Sequence, residues 1–428
     1  MKDKYTIDEF ANLIGKSKDT LRRWDKTGKL YAFREPMSNY RYYKSEQLSI
    51  FVDELNNSEG QNQKMISPNK NYSVLELFAG AGGLAIGLEQ AGLKCKALNE
   101  IDHWAAETLR QNRPNWNVVE GDIRGLSFAH LKDEVDVVTG GFPCQSFSYA
   151  GKRFGFEDAR GTLFYEFARI VKEVNPPICI GENVRGLLNH DSGKTLETMI
   201  AILDEIGYRV LSPKVLKAVN FNVPQKRERL ILVGVRKDID IDFEYPKPFK
   251  KIYNLKDALK KGELFDCDVP DSPGTKYPAS KKKILDLVPP GGYWRNLPVE
   301  LQMEYMQKSF YLGGGKTGMA RRISWDEPSL TLTCSPAQKQ TERCHPDETR
   351  PFTVREYARI QTFPDEWKFA GPVSAQYKQI GNAVPVNLAK EIGSSLITFL
   401  NQVNLNKVNS DIIDCEFVEE YPIRFDQV

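Results

Sequence analysis

The stretch that decides the reading of this chain is Ser73-Val74-Leu75-Glu76-Leu77-Phe78-Ala79-Gly80-Ala81-Gly82-Gly83. Its first half is almost continuously apolar, as a strand buried on both faces requires. The glycines that follow permit positive φ angles and a close approach to the backbone. Leu84, Leu88 and Ala91 then recur at helical spacing. A strand, a glycine turn and a helix in that order form a nucleotide-type site, because the helix N-terminus offers unpaired N–H groups. The glycines are spaced GxGG rather than GxGxxG, so the dinucleotide fingerprint is not met.

Working outward, Cys95-Lys96-Ala97-Leu98-Asn99 reads as a second strand ending in Glu100, an acid placed to accept bonds from ribose hydroxyls. Val118-Val119-Glu120-Gly121-Asp122 gives a third strand with an acidic end. Val135–Thr139 reads as a fourth, leading into Gly140-Gly141-Phe142-Pro143-Cys144-Gln145-Ser146-Phe147-Ser148. Cys144 then stands just past the carboxyl end of a strand, where ligands sit in open α/β sheets, and a cysteine thiolate is a strong nucleophile. A zinc deaminase is excluded because its PCxxC motif needs cysteine where Phe147 stands. Ile178-Cys179-Ile180 runs into Gly181-Glu182-Asn183-Val184, and Gln225-Lys226-Arg227-Glu228-Arg229 precedes the apolar run Leu230–Val235. Strand alternation predicts that Arg227 and Arg229 point the same way. The expected architecture is α/β, a doubly wound sheet.

The chain has 428 residues, enough for two or three domains, with 41% hydrophobic and 27% charged residues and a formal charge of +2. That balance is ordinary for a soluble protein, and any nucleic-acid binding must rest on local clusters. Seven cysteines lie singly and without a CxxC pair, which suits a reducing cytosol and offers no metal site. The N-terminus lacks an apolar signal region, and no run of 18 apolar residues predicts a membrane span. The protein reads as cytoplasmic, with no membrane partner.

Residues 1–55 read as a separate unit. Thr6-Ile7-Asp8-Glu9 carries a capping-box signal before Phe10, Leu13 and Ile14, and Ser17 can cap a second helix with Leu21 and Trp24 inward and Arg22 and Arg23 outward. Leu30–Arg34 and Tyr40–Tyr43 follow as two short strands. This outline resembles the winged helix-turn-helix of the MerR and excisionase type, which implies DNA contacts at Arg22, Arg23 and Arg41. Residues 56–71 read as a polar linker. Texture changes again after Arg236, and a stretch rich in Gly, Pro and Lys runs to about residue 345 before helices return, the last over about Val386–Asn401. The domains expected are thus 1–55, a linker 56–71, 72–240, 241–348, a returning segment 349–402 and a weakly patterned tail 403–428.

Phe78-Ala79-Gly80-x-Gly82-Gly83, Pro143-Cys144-Gln145, Glu182-Asn183-Val184, Gln225-x-Arg227-x-Arg229 and Gly381-Asn382-Ala383-Val384 occur in that order. Together they resemble the C5-cytosine DNA methyltransferase family over residues 73–395. The resemblance implies a Rossmann-like domain using S-adenosyl-L-methionine (AdoMet), a smaller recognition domain at 241–348, and double-stranded DNA as partner. It implies Cys144, Glu182, Arg227 and Arg229 as catalytic, Cys144 adding to carbon 6 of an extruded cytosine, Arg229 holding the base and Arg227 supporting the thiolate or a phosphate. Cofactor contacts are implied at Phe78, Ala79, Gly80, Gly82, Gly83, Leu84, Glu100, Ile101, Asp122, Ile123, Pro143, Leu163, Asn382, Ala383 and Val384. DNA contacts are implied at Gln145, Ser146 and Ser148, and Gly151, Lys152, Arg153, Gly155, Arg160 and Gly161 suit a basic loop closing over DNA. The expected role is protection of DNA in a restriction–modification system by a monomer, with regulation of its own promoter as a second role for the N-terminal unit. The alternatives are an RNA methyltransferase, although the Cys-Phe-Thr signature of the family's tRNA branch is absent, and a transcription regulator.

Overall fold

The computed structural model describes residues 4–13, 18–27, 30–35, 40–44, 47, 67–143, 162–313 and 316–416. The chain divides into two compact units, Met1–Lys64 and Met65–Val428.

In the first unit, strand β1 (Lys4–Thr6) leads into helices α1 (Ile7–Leu13) and α2 (Lys18–Thr27), then strands β2 (Phe33–Arg34) and β3 (Arg41–Lys44). The sheet order is β1-β3-β2, all antiparallel. The capping box forms as its sequence signal required: Thr6 N donates to Glu9 Oε2 at 2.9 Å and Glu9 N to Thr6 Oγ1 at 3.3 Å. Strand β1 was not anticipated, since three residues are too few for an alternation to register. Phe10, Leu21, Leu30 and Tyr43 make the core, with the Phe10 and Tyr43 rings stacked at 4.5 Å. Ile14 and Ser17 lie outside the described residues.

The second unit is built on the doubly wound sheet that the sequence led us to expect, which is mixed because its strand Glu228–Arg236 runs antiparallel. Its strands are β4 (Ser73–Leu77), β5 (Lys94–Glu100), β6 (Val118–Glu120), β7 (Val137–Gly140), β8 (Ile178–Val184), β9 (Tyr208–Val210), β10 (Lys214–Lys217) and β12 (Glu228–Arg236), preceded by the short β11 (Gln225–Lys226). The order is β10-β12-β8-β7-β4-β5-β6, with β9 also on β12; β4 to β8 run parallel and β12 antiparallel. The chain winds outward from β4 to β6 and restarts at β7 on the other side of β4. That reversal makes a crevice at the carboxyl ends of β4 and β7, the place where such sheets bind ligands.

Helices α3 (Gly83–Ala91) and α4 (His103–Asn112) follow β4 and β5, and α5 (Leu163–Val174) and α6 (Lys194–Glu205) flank β8. The recognition stretch holds α7 (Leu255–Leu259), α8 (Ala279–Leu285), α9 (Val299–Met306) and β13 (Ser329–Leu330). Its packing centres on Tyr277, Leu285, Trp294, Met306 and Cys344. Buried Glu342 ties it together, accepting from Tyr305 Oη at 2.6 Å and Ala320 N at 2.5 Å and pairing with Lys281. β13 leaves this stretch and pairs in parallel with β11, so residues 329–334 sit against the sheet unit, inside the expected recognition boundary.

The chain returns through α10 (Val354–Ile360), α11 (Val373–Asn382) and α12 (Val386–Glu416). Glycines set how closely α12 packs on α3: a Cβ at Gly87 would lie 2.4 Å from that of Ala389, and one at Gly393 2.6 Å from that of Ala91. Helix α12 extends beyond the expected end at Asn401 because no glycine or proline follows Gly393 until Pro422. The expected linker also ends early, since Asn69 N already donates to Asn401 Oδ1 at 3.0 Å.

Candidate active site

A cavity of about 780 Å³ opens at the carboxyl ends of the central strands. One side is formed by Phe78, Ala79, Gly80, Gly83 and Leu84 as β4 turns into α3. Glu100 and Ile101 end β5, Asp122 and Ile123 follow β6, and Pro143 follows β7. Leu163, Asn382, Ala383 and Val384 close the lining, and Glu182, Arg227 and Arg229 stand at its other end. Among the expected cofactor residues only Gly82 is absent from this lining. With φ +86°, it caps α3, and a Cβ there would strike Leu109 at 2.8 Å and Trp367 at 3.2 Å. Gly82 therefore has a packing role that its motif did not announce.

The glycine turn and the acids suit an adenosyl cofactor. Gly80 has φ +55°, and a Cβ there would meet nothing within 4 Å, so the backbone itself borders open cavity. Gly80 N donates to Glu100 Oε2 at 2.7 Å, while Ile101 N and Asp102 N donate to Oε1 at 2.9 and 2.7 Å. A carboxylate has about four acceptor positions, so three fixed donors orient Glu100 and leave capacity for a hydroxyl. Burial raises its pKa despite those bonds. Asp122 is the opposite case: the Arg124 guanidinium holds it down to about 2, keeping an ionised acceptor at the cavity mouth. Lys378 Nζ lies 2.7 Å from Asp102 across the rim, a pairing of the α4 cap with α11 that sequence reading missed.

At the other end, Glu182 and Arg229 form an ion pair, both side chains nearly buried. They lie on antiparallel neighbours, β8 and β12, close enough in register to meet. The Glu182 carboxylate also stands over the exit of β7, where a Cβ on Gly141 would be 3.2 Å from its Oε2. Asn183 Nδ2 donates to Phe142 O at 2.8 Å and fixes the backbone one step before Pro143. Phe142 in turn packs edge-on to Phe164 at 5.1 Å, and a Cβ on Gly181 would approach its ring to 3.1 Å.

Arg227 is 1% exposed. It donates through Nη1 to Leu332 O at 3.1 Å and through Nη2 to Gly381 O at 2.9 Å and Asn382 O at 3.5 Å. Burial, with Arg229 beside it, lowers its pKa to about 9, so it is charged at neutral pH. Its guanidinium is thus anchored to backbone carbonyls, while its buried Nε has no hydrogen-bond partner among the described residues. The carbonyls belong to two returning segments that cross tightly. A Cβ on Gly381 would lie 2.4 Å from Thr333 O, and Cys334 Sγ donates to Asn382 Oδ1 at 3.0 Å.

Cys144, Gln145, Ser146 and Ser148, with the basic stretch 151–161, lie outside the described residues. In the N-terminal unit, Arg22 is exposed on α2, and the side chain of Arg23 is not described. Arg41 Nε donates to Asp25 Oδ2 at 2.8 Å, and Asp25 also accepts from Ala32 N at 3.0 Å. Arg41 therefore fastens the wing to α2.

This crevice, with adenosine-type acceptors at one end and a carboxylate–arginine pair at the other, defines a methyltransferase of the doubly wound class. The family model for C-5 cytosine-specific DNA methylase matches residues 72–398, and the chain belongs to that family. Residues 5–51 match the MerR helix-turn-helix regulatory family. The type II methyltransferase M.Eco47II of Escherichia coli is 63% identical over 94% of this chain and 98% of its own length. M.PspPI of Psychrobacter sp. is 56% identical over 91% and 95%. A crystal structure described as a DNA modification methyltransferase encoded within an E. coli prophage superposes with a TM-score of 0.55 at 25% identity, covering 77% of this chain and all of that one. The protein is an AdoMet-dependent DNA cytosine-5 methyltransferase of the type II, restriction–modification kind. Among the described residues no helix is long and apolar enough to cross a membrane.

Proposed function

We propose that the enzyme methylates carbon 5 of a cytosine extruded from a short, specific site in double-stranded DNA, with Cys144 as covalent nucleophile. The observation that carries this reading is the Glu182–Arg229 pair beside Pro143, in a cavity whose other end suits AdoMet. Carbon 5 of cytosine is a poor nucleophile inside the base stack, so the base must leave the duplex at a cost of roughly a few kcal/mol. The Cys144 thiolate adds to carbon 6, forming a carbon–sulfur bond and pushing the electron pair toward carbon 5. Glu182 bonds the N3 and amino edge of the base, and Arg229 holds its O2 while keeping Glu182 in place. Arg227 is a positioning residue that fixes the wall at Leu332, Gly381 and Asn382. AdoMet, when bound, supplies an electrophilic methyl group for carbon 5. Loss of the carbon-5 proton then returns the electron pair and expels Cys144.

Glu100 and Asp122 hold the ribose and adenine, and Phe78, Gly80 and Asn382 border the methionyl end. The N-terminal unit binds DNA, its MerR match and winged shape supporting a second role in repressing the protein's own promoter. Base-resolution methylation sequencing of cells expressing the intact protein or Cys144→Ser tests the chemistry. One short motif carrying 5-methylcytosine, lost in the variant, is expected; a folded, AdoMet-binding protein leaving no mark on DNA would shift the substrate to RNA. For the second role, deletion of residues 1–64 should abolish promoter occupancy and leave methylation intact; equal loss of both would confine the unit to catalysis.

A further inference from the structure

The recognition stretch buries its large rings, with Trp294, Tyr305 and Tyr277 at 5, 6 and 8% exposed. Just beyond α9 it does the reverse. Tyr311 is 75% exposed, the most of any large apolar side chain described in the 65–428 unit, and Leu312 beside it is 64% exposed. Neither hangs on a loose chain. Phe310 packs edge-on to Trp294 at 6.0 Å and to the Tyr311 ring at 5.3 Å. Lys316 turns its ammonium back onto Ser309 O and Leu312 O. The turn is entered through Gln307 at φ +53° and left through Lys316 at φ +45°, left-handed conformations that cost a residue with a side chain. Such strain persists only where the surrounding structure fixes it. A clamped turn thus holds two apolar side chains out in water, where burial against a partner would be favourable.

Short steps join this turn to the catalytic cavity. Glu342 N donates to Gly318 O at 2.9 Å, and a Cβ on Gly318 would lie 2.5 Å from Gln340 O, so the two arms of the stretch run side by side. Thr341 Oγ1 lies 3.2 Å from Thr333 Oγ1, and the next residue, Cys334, donates to Asn382 at the cavity wall. Cations border the turn. Lys308 is exposed within it, Arg295 lies over the Trp294 ring at 5.1 Å and Lys339 over the Tyr305 ring at 4.8 Å. Glu342, beneath them, is buried and paired with Lys281, and the exposed acids Glu300 and Glu304 belong to α9, before Gln307. A ring and a branched aliphatic chain rimmed by cations match a base-pair step, whose faces are apolar and whose edges carry phosphates. Two side chains fall far short of the ~800 Å² per partner of a stable protein interface, which disfavours a second copy as the occupant.

Resting on the DNA reading above, we propose that Tyr311 and Leu312 are a wedge that enters the base stack of the bound duplex and opens one base-pair step flanking the target cytosine. Opening a step costs stacking energy, which burial of the ring and the leucine between the bases offsets. Lys308, Arg295 and Lys339 then meet phosphates on either side and fix the register. The pair acts on the DNA and not on AdoMet, and it favours sites whose flanking step unstacks easily.

Duplexes of the motif mapped by methylation sequencing, with single purines replaced by 2-aminopurine, report unstacking as a rise in fluorescence. With the full chain and S-adenosylhomocysteine, one purine flanking the target should brighten in addition to the signal of extrusion. Tyr311→Ala combined with Leu312→Ala should lose the flanking signal and bind the duplex at least roughly tenfold more weakly, within the worth of one base–aromatic stack. It should keep its urea midpoint and its affinity for S-adenosylhomocysteine, and Tyr311→Phe should retain the flanking signal. Should the double variant be unstable, Leu312→Ala alone gives the same readout. A flanking signal that survives in the alanine variants would overturn the wedge, as would its absence from wild type that extrudes the target; both leave the proposed function standing. A double variant that differs from wild type in the sedimentation mass of the free protein would assign the patch to self-association and overturn it too. The absence of any methylated motif would overturn the DNA reading, and the wedge with it.

Discussion

Replacing Arg227 by leucine removes a buried guanidinium and leaves its carbonyl partners without donors. Two of the three bonds are short, 3.1 Å to Leu332 O and 2.9 Å to Gly381 O, and the third is at the limit at 3.5 Å. A buried carbonyl left unpaired costs about 1–3 kcal/mol, so two cost about 2–6 kcal/mol. Part of that is offset, because the buried charge carries its own desolvation cost. We expect Arg227→Leu to destabilise the 65–428 unit by about 3 kcal/mol, read as a lower urea midpoint with unchanged slope. Because Gly381 and Asn382 line the cavity, AdoMet affinity should fall roughly tenfold for each ~1.4 kcal/mol of strain passed to that wall. Arg227→Lys should recover about half of the stability, since a single ammonium lacks the planar fork that reaches both segments. Unchanged midpoint and unchanged AdoMet affinity in Arg227→Leu, with methylation lost, would refute this reasoning and return Arg227 to direct contact with substrate.

Four further expectations follow from the geometry. Gly80→Ala should cost about 1–2 kcal/mol for a left-handed alanine while lowering AdoMet affinity more than stability, because the new methyl enters open cavity; equal effects in calorimetry and denaturation would contradict this. Gly381→Ala should be far worse, its Cβ being 2.4 Å from Thr333 O, and should give little soluble protein; a normally stable variant would show that the crossing relaxes. Asp25→Asn should loosen the N-terminal wing by releasing Arg41 and Arg34, visible as faster amide exchange in residues 30–44, with the 65–428 unit unaffected. Burial, with the Glu100 carboxylate nearby, pushes the Glu76 carboxyl well above the about 4.3 of an unfolded glutamate. Its contribution is complete below that pH and falls as pH rises toward the raised folded value, by up to about 1.4 kcal/mol per unit. The stability gap should therefore move in favour of Glu76→Gln as pH rises above the unfolded value; a constant gap would mean that Glu76 is ionised in the fold.

What was legible in the sequence is what lies at the ends of buried parallel strands. Such strands read as continuous apolar runs, so an acid or glycine just beyond them stands out, and Glu100, Asp122, Pro143 and Glu182 all reach one cavity. The groups that hold those residues were not legible, because their partners are distant in sequence. Asn183 grips Phe142 O across 41 residues, and Arg227 grips Gly381 O across 154. Alternation put Arg227 and Arg229 on one side, and both line the cavity, but it did not announce the backbone carbonyls that Arg227 holds. That residue lies in the break between β11 and β12, with its own N–H bonded to Gln225 O at 2.9 Å, and that local turn delivers its guanidinium to the carbonyls. The glycines divide the same way. Gly80 borders the cavity, as a ligand-binding turn requires, whereas Gly82 and Gly381 exist for a tryptophan and a carbonyl that no local pattern announces. The recognition stretch was least legible, since its order comes from Glu342 joining Lys281, Tyr305 and Ala320 rather than from periodic apolar faces. Motif residues are thus visible because one strand end needs each of them; their supports are visible only once the chain has folded back on itself.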